Sequence, residues 1–232
     1  MNQDIANAIS KLPLPFQPPV AGVVGELLRT HPDVVAFMLV GSVAEGDWDE
    51  HSDIDFLYVR QPIIEKDRIV EIKKLWPIVH FIAYTPDRLA EAFGQQNTMA
   101  WSIARGLPLF DGSGIIAHCK SIPLAAPGAD WVREHMKRVL EWPDEPQSLW
   151  RKVINLAILY TAARGDVATT KRRLVGAVER SDLADVVKKS IDLIFRARCK
   201  EGIQISDVLS LGLLGQAMVE LQRCILELLA ES

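Results

Sequence analysis

The sequence predicts an α/β domain followed by an all-α helical bundle, and three observations carry that expectation. Short β-branched, apolar runs alternate with amphipathic helices in the first half of the chain. Beyond about Pro123 such runs and glycines become scarce, while helical periodicity continues to the end. Apolar residues at 49% and charged residues at 24% are the composition of a chain that packs a core. The boundary is placed in Ala125-Ala126-Pro127-Gly128, giving domains 1–125 and 126–232. No period of about 20 to 50 residues recurs, so a solenoid is not expected.

Taken in order, the chain opens with a lead-in helix, then a proline-rich bend at Leu12-Pro13-Leu14-Pro15 with Pro18-Pro19, where proline forbids a continuous helix. A second helix carries Val23, Val24, Leu27 and Leu28 at helical spacing and closes at Thr30-His31-Pro32. Val34 to Val40 has the length and composition of a buried strand, punctuated by Gly41-Ser42. Asp53 to Val59 reads as a second strand, Glu65 to Trp76 as a helix, and Ile78 to Tyr84 as a third strand. Thr85 is placed to cap a helix with Pro86 at its first position. Thr98 to Arg105 is helical, and Leu107 to Phe110 can add a further strand before the turn Asp111-Gly112-Ser113-Gly114. The second half reads as helices over Asp130 to Trp142, Gln147 to Ala163, Ala168 to Val178, Asp182 to Cys199 and Ser206 to Leu229.

Lys+Arg 26 against Asp+Glu 30 leaves a formal charge of −4, without the basic excess that sequence-blind nucleic-acid binding needs, so nucleic acid is not expected as a partner. Cys119, Cys199 and Cys224 show no pairing or zinc spacing, which suits reduced thiols. The N-terminus does not read as a secretory signal, and no apolar run reaches the roughly 20 residues of a bilayer span. A cytoplasmic protein without a membrane partner is the expectation. P-loop, Rossmann, Ser-His-Asp and zinc patterns are missing from the sequence, which weighs against kinase, dehydrogenase and hydrolase classes.

The informative stretch is Gly41 to Phe56, in which a Gly-Ser pair ends one strand, ten residues intervene, and an Asp-x-Asp opens the next. Side chains two apart in a strand share a face, so Asp53 and Asp55 project together. Such a pair can hold Mg²⁺, which takes one or two carboxylates together with substrate phosphates and waters. Gly41 lets the backbone approach an anion, and Ser42 adds a hydroxyl and an amide donor. Together they describe a site for a nucleoside triphosphate bridged by a cation to two aspartates.

Gly41-Ser42, Gly46 and Ser52-Asp53-Ile54-Asp55-Phe56 resemble the signature of the DNA polymerase β-like nucleotidyltransferases, close to the small prokaryotic branch with minimal, aminoglycoside and lincosamide nucleotidyltransferases. The resemblance covers Gly41 to Phe56 in motif and extends to about Tyr84 in element order. It implies a nucleotidyltransferase domain with a small mixed sheet, followed by a helical domain. The implied reaction transfers a nucleoside monophosphate, most often AMP from ATP, to an acceptor hydroxyl, such as one on an antibiotic. Gly41, Ser42 and Ser52 would hold the nucleotide, and Asp53 and Asp55 would hold Mg²⁺ or Mn²⁺. Family members often pair, so a homodimer is a further expectation.

The family usually supplies a third carboxylate from the following strand, where this chain has His80. Three readings stay open: His80 as a general base, a base from Glu141 or Glu145 of the helical half, or a lapsed, antitoxin-like nucleotide-binding protein. A protein adenylyltransferase is a further alternative. By itself His80 reads equally well as a buried, hydrogen-bonded histidine. Lys152 and Lys171-Arg172-Arg173 could reach phosphates but read first as solvated helix faces, and Trp48, Trp101, Trp142 and Trp150 read first as packing residues.

Overall fold

The two central strands are apolar at almost every position, and the computed structural model shows the cause: both faces of their sheet are covered. It describes residues 3–31, 33–49, 52–60, 66–96, 98–125, 127–143, 145–198 and 210–231. Expectations for Glu50, His51, Glu65, Ala126, Cys199 and residues 206–209 lie outside the described residues. The chain divides into two compact units, Met1–Leu124 and Ala125–Ser232.

The first unit runs α1 (Gln3–Ser10), a 3-10 turn (Leu14–Phe16), α2 (Gln17–Thr30), β1 (Val34–Val40), α3 (Gly41–Glu45), β2 (Ile54–Arg60), α4 (Lys66–Leu75), β3 (Val79–Tyr84), α5 (Pro86–Gly94), α6 (Thr98–Arg105), β4 (Leu107–Asp111) and α7 (Ile115–Ser121). The strands form one mixed sheet in the order β3-β2-β1-β4. Strand β1 pairs antiparallel with β2 and β4, whereas β2 and β3 run parallel through the crossover helix α4. On one face Phe37, Leu39, Phe56 and Tyr58 pack with Ile5, Ile9, Val20, Val24 and Leu27 of α1 and α2. On the other, Met38, Val40, Leu57 and Val59 pack with Leu89, Phe93, Ile103, Ile116 and Cys119 of α5, α6 and α7. Strands with both faces covered have no polar side to alternate, hence their continuous hydrophobic runs.

Thr85 caps α5 as its sequence predicts, its Oγ1 accepting the Arg88 N–H at 3.3 Å with Pro86 at the first position. Pro18 and Pro19 sit inside the first turn of α2 rather than in the preceding bend, because a missing N–H costs no intrahelical bond there. Helix α7 follows the Asp111-Gly112-Ser113-Gly114 turn, over residues to which the sequence pattern assigned no element. Asp111 Oδ2 accepts the Ala117 N–H at 2.8 Å, which satisfies one of the free donors of the helix's first turn.

The second unit comprises α8 (Ala129–Leu140), α9 (Pro146–Ala163), α10 (Lys171–Glu179), α11 (Asp185–Arg198) and α12 (Leu211–Glu231). Val153, Leu156 and Tyr160 of α9 are buried, as are Val132 and Met136 of α8 and Leu214, Leu221 and Ile225 of α12. Helix α10 begins at Lys171, not Ala168: Thr170 before it is extended (φ −107°, ψ 155°), and the Ala168 N–H donates to Thr161 Oγ1 at 3.1 Å. Lys152 is not on a solvated face: it is 1% exposed, and its ammonium donates to the Leu140 carbonyl at 3.1 Å, at the end of α8. Among the described residues, no helix is long and apolar enough to cross a membrane.

Candidate functional site

Asp55 is the third-from-last alternate residue on the face that Leu57 and Val59 bury, but it lies at the start of β2, where that face opens to solvent. Its register partners are Val40 on β1 and His80 on β3. Parallel pairing of β2 with β3 therefore sets the imidazole beside the aspartate pair. His80 Nδ1 lies 3.1 Å from Asp53 Oδ2 and 3.8 Å from Asp55 Oδ1. Side-chain exposures are 37% for Asp53, 29% for Asp55 and 47% for His80, so the cluster is reachable from water. The reading of His80 as a buried core histidine is thereby corrected: its neighbours Val79 and Phe81 turn to the α1–α2 core, which leaves His80 on the opposite, open side.

Gly41 is required at the site for two reasons. Its φ of +73° is a conformation that side chains resist, and a Cβ added there would lie 2.7 Å from Asp55 Oδ2. The bare Cα thus lets the strand end and the carboxylate come together. Short helix α3 then stops at Gly46, also at φ +73°, with the Ser42 carbonyl accepting the Gly46 and Asp47 N–H groups, the latter at 2.8 Å.

The loop into β2 is held by Ser52. Its hydroxyl accepts the Asp49 N–H at 2.8 Å and donates to Asp49 Oδ1 at 3.1 Å, while its own N–H reaches the Asp49 carbonyl at 3.1 Å. Ser52 hence shapes the turn that delivers Asp53. Trp48 in the same loop sets its ring edge-on against Phe16, with centroids 5.2 Å apart, and stays 37% exposed.

The structure thus brings together Gly41, Asp53, Asp55 and His80, with Ser42 next in the chain. Glu141, Glu145, Lys152, Arg172 and Arg173 belong to the second unit. Trp101 stacks under the Arg105 guanidinium at 5.7 Å and Trp150 under that of Arg151 at 5.3 Å, which accounts for both as packing residues. One contributor passed unnoticed in the sequence. Gly106 abuts the end of β1 so closely that a Cβ would lie 2.5 Å from the Leu39 carbonyl, and Lys120 donates to the Gly106 carbonyl at 2.7 Å. That anchorage sits two residues before Gly41, and a glycine directly ahead of an apolar run is its only trace in the sequence.

One donor atom each from Asp53, Asp55 and His80 lie within 4.8 Å of one another. Ligands roughly 2.0 to 2.3 Å from one cation stand about 3 to 4.5 Å apart, so the cluster fits a single divalent ion.

Residues 20–84 match the profile of the nucleotidyltransferase domain family. This part of the chain is a nucleotidyltransferase domain. The match takes in β1, the Gly41-Ser42 turn, the aspartate pair and His80. A spectinomycin adenyltransferase from Enterococcus faecialis, solved with ATP and spectinomycin, shares 16% identity and superposes with a TM-score of 0.58 over 88% of this chain and 98% of its own. A toxin-antitoxin structure with AMP-PNP aligns at 16% identity and a TM-score of 0.34, over 52% of this chain and 90% of its own. A nucleotidyltransferase-like protein from Exiguobacterium sibiricum aligns at 9% identity and 0.36, over 89% and 74%. Comparison with curated protein sequences gives no significant match. At these identities the first likeness speaks for the fold, a nucleotidyltransferase sheet followed by helices.

Proposed function

We propose that the protein transfers a nucleoside monophosphate, AMP from ATP, to an acceptor hydroxyl on a small molecule. The observation that carries this reading is the convergence of Asp53 and Asp55 beside the bare Cα of Gly41. Asp53 and Asp55 hold the divalent cation, Gly41 lets the end of β1 stand against the Asp55 carboxylate, and Ser42 offers its amide and hydroxyl to the triphosphate. When bound, the cation supplies charge stabilisation for the attacking and leaving oxygens. The acceptor oxygen forms a bond to the α-phosphorus, the bond to the bridging β-phosphate oxygen breaks, pyrophosphate leaves and the hydroxyl proton is lost. The fold likeness to an adenyltransferase solved with ATP and spectinomycin supports ATP as donor and a small-molecule acceptor.

Calorimetric titration with ATP, GTP, CTP and UTP, each with Mg²⁺ and with Mn²⁺, tests the reading. ATP should bind best, and Asp53→Asn or Asp55→Asn should abolish cation-dependent binding. Full binding in both variants would remove the aspartates from the site.

His80 in place of a third carboxylate favours a second reading, a nucleotide-binding partner protein that has lost transfer. Replacing His80 with Asp separates the two: transfer rises if the site had lapsed and falls if His80 serves it.

A further inference from the structure

We infer that His80 is a direct ligand of the cation, through Nδ1, and that it turns the site from Mg²⁺ toward Mn²⁺. The inference rests on the reading of Asp53 and Asp55 as cation ligands and adds the identity of the ion they hold. Two observations support it. The imidazole does not merely lie near the aspartates: Nδ1 is the atom that faces both carboxylates, at 3.1 Å from one and 3.8 Å from the other. At 3.1 Å the imidazole and the Asp53 carboxylate are within hydrogen-bond reach with no ion between them, and a cation taking the place of the shared proton would meet the same atoms. Its place is also fixed by the backbone, because Asp55 and His80 are register partners across β2 and β3, and Ile54 and Val79 beside them are buried.

The donor set is then two carboxylate oxygens and one imidazole nitrogen. Mg²⁺ is hard, strongly hydrated and poorly served by nitrogen, whereas Mn²⁺ accepts both carboxylate and imidazole and keeps the octahedral positions that phosphate oxygens need. The half-exposed rim of the cluster leaves coordination positions for water or substrate, as a working metal site must.

The test uses the full-length protein without nucleotide. Mn²⁺ binding is followed by the loss of the free-ion electron paramagnetic resonance signal, Mg²⁺ is added as competitor, and pulsed spectra are searched for ¹⁴N coupling from a coordinated imidazole. Wild type should bind Mn²⁺ with that coupling. His80→Asp, at an exposed position, should lose the coupling and narrow the Mn²⁺ over Mg²⁺ preference by about tenfold or more. Asp53→Asn and Asp55→Asn should weaken both ions. If Mn²⁺ binds through the aspartates without nitrogen coupling, and His80→Asp leaves the preference unchanged, His80 is no ligand while the aspartate assignment stands. If wild type binds neither ion at millimolar concentration even after ATP is added, the aspartate assignment itself falls.

Discussion

The same two strands carry charge at both ends, and the ends are built in opposite ways. Where β1 starts and β2 finishes, Val34 pairs with Arg60, whose side chain is only 5% exposed. Its guanidinium donates to Asp33 Oδ2 at 3.2 Å and lies 5.9 Å over the Tyr58 ring. Burial lowers the Arg60 pKa and raises that of Tyr58, while Asp33 and Arg60 balance one another. Where β1 finishes and β2 starts, two carboxylates face one imidazole, each about a third or more exposed. At one end a buried guanidinium meets one carboxylate; at the other two carboxylates meet a single half-exposed imidazole. That difference marks a structural ion pair off from a binding site more reliably than the presence of charge does.

The contrast is broken most sharply at Asp55. With Asn there, nucleotidyl transfer should fall by about a thousandfold, since cation stabilisation is worth several kcal/mol in the transition state. The cation-free thermal midpoint should stay level or rise, because removing one of two adjacent like charges relieves repulsion. Arg60→Ala should do the reverse. Losing a buried partner of Asp33 should cost about 3 kcal/mol of stability, read by denaturant titration. Since Asp33 remains partly exposed and can recover water, the cost should sit at the low end of such changes. A midpoint that fell in Asp55→Asn and held in Arg60→Ala would invert the assignment of the two ends.

Gly41→Ala tests whether the open end depends on backbone shape. Alanine at φ +73° should cost about 1 kcal/mol, and its Cβ would drive Asp55 out of place. Cation affinity should therefore drop by more than global stability does, a split that calorimetry and melting read on one sample.

Why the site was legible and some of the fold was not follows from the range of the interactions. Gly41, Asp53 and Asp55 were readable because strand alternation and one tight turn place them, and both are local. His80 could be put beside them only through the family register, since the β2–β3 pairing that brings it there crosses 25 residues of sequence from Asp55. The burial of Lys152 escaped because its partner is a carbonyl on another helix. Ser52 matches the motif by sequence, yet its bonds to Asp49 show a turn-forming role that spacing alone does not distinguish from nucleotide contact.

The smallest expected effect extends the comparison to the second unit. His135 on α8 stacks on Trp131 at 3.9 Å between ring centroids, and its Nδ1 lies 2.9 Å from the Trp131 carbonyl. Like Arg60 it is desolvated, and burial lowers its pKa, assisted by Arg138 and opposed by the Trp131 carbonyl and Glu134. A histidine whose folded pKa lies below its unfolded value prefers to stay neutral in the fold. Its contribution is intact above the unfolded value near 6.5 and is lost as pH falls through the folded one. Melting midpoints should thus decline from pH 7.5 to pH 5.5, and His135→Gln should flatten part of that slope because glutamine does not titrate. Every other group is common to both proteins, so the difference between the slopes isolates His135. Should the variant decline as steeply as wild type, His135 is not held neutral, and desolvation at α8 does not act as it does at Arg60.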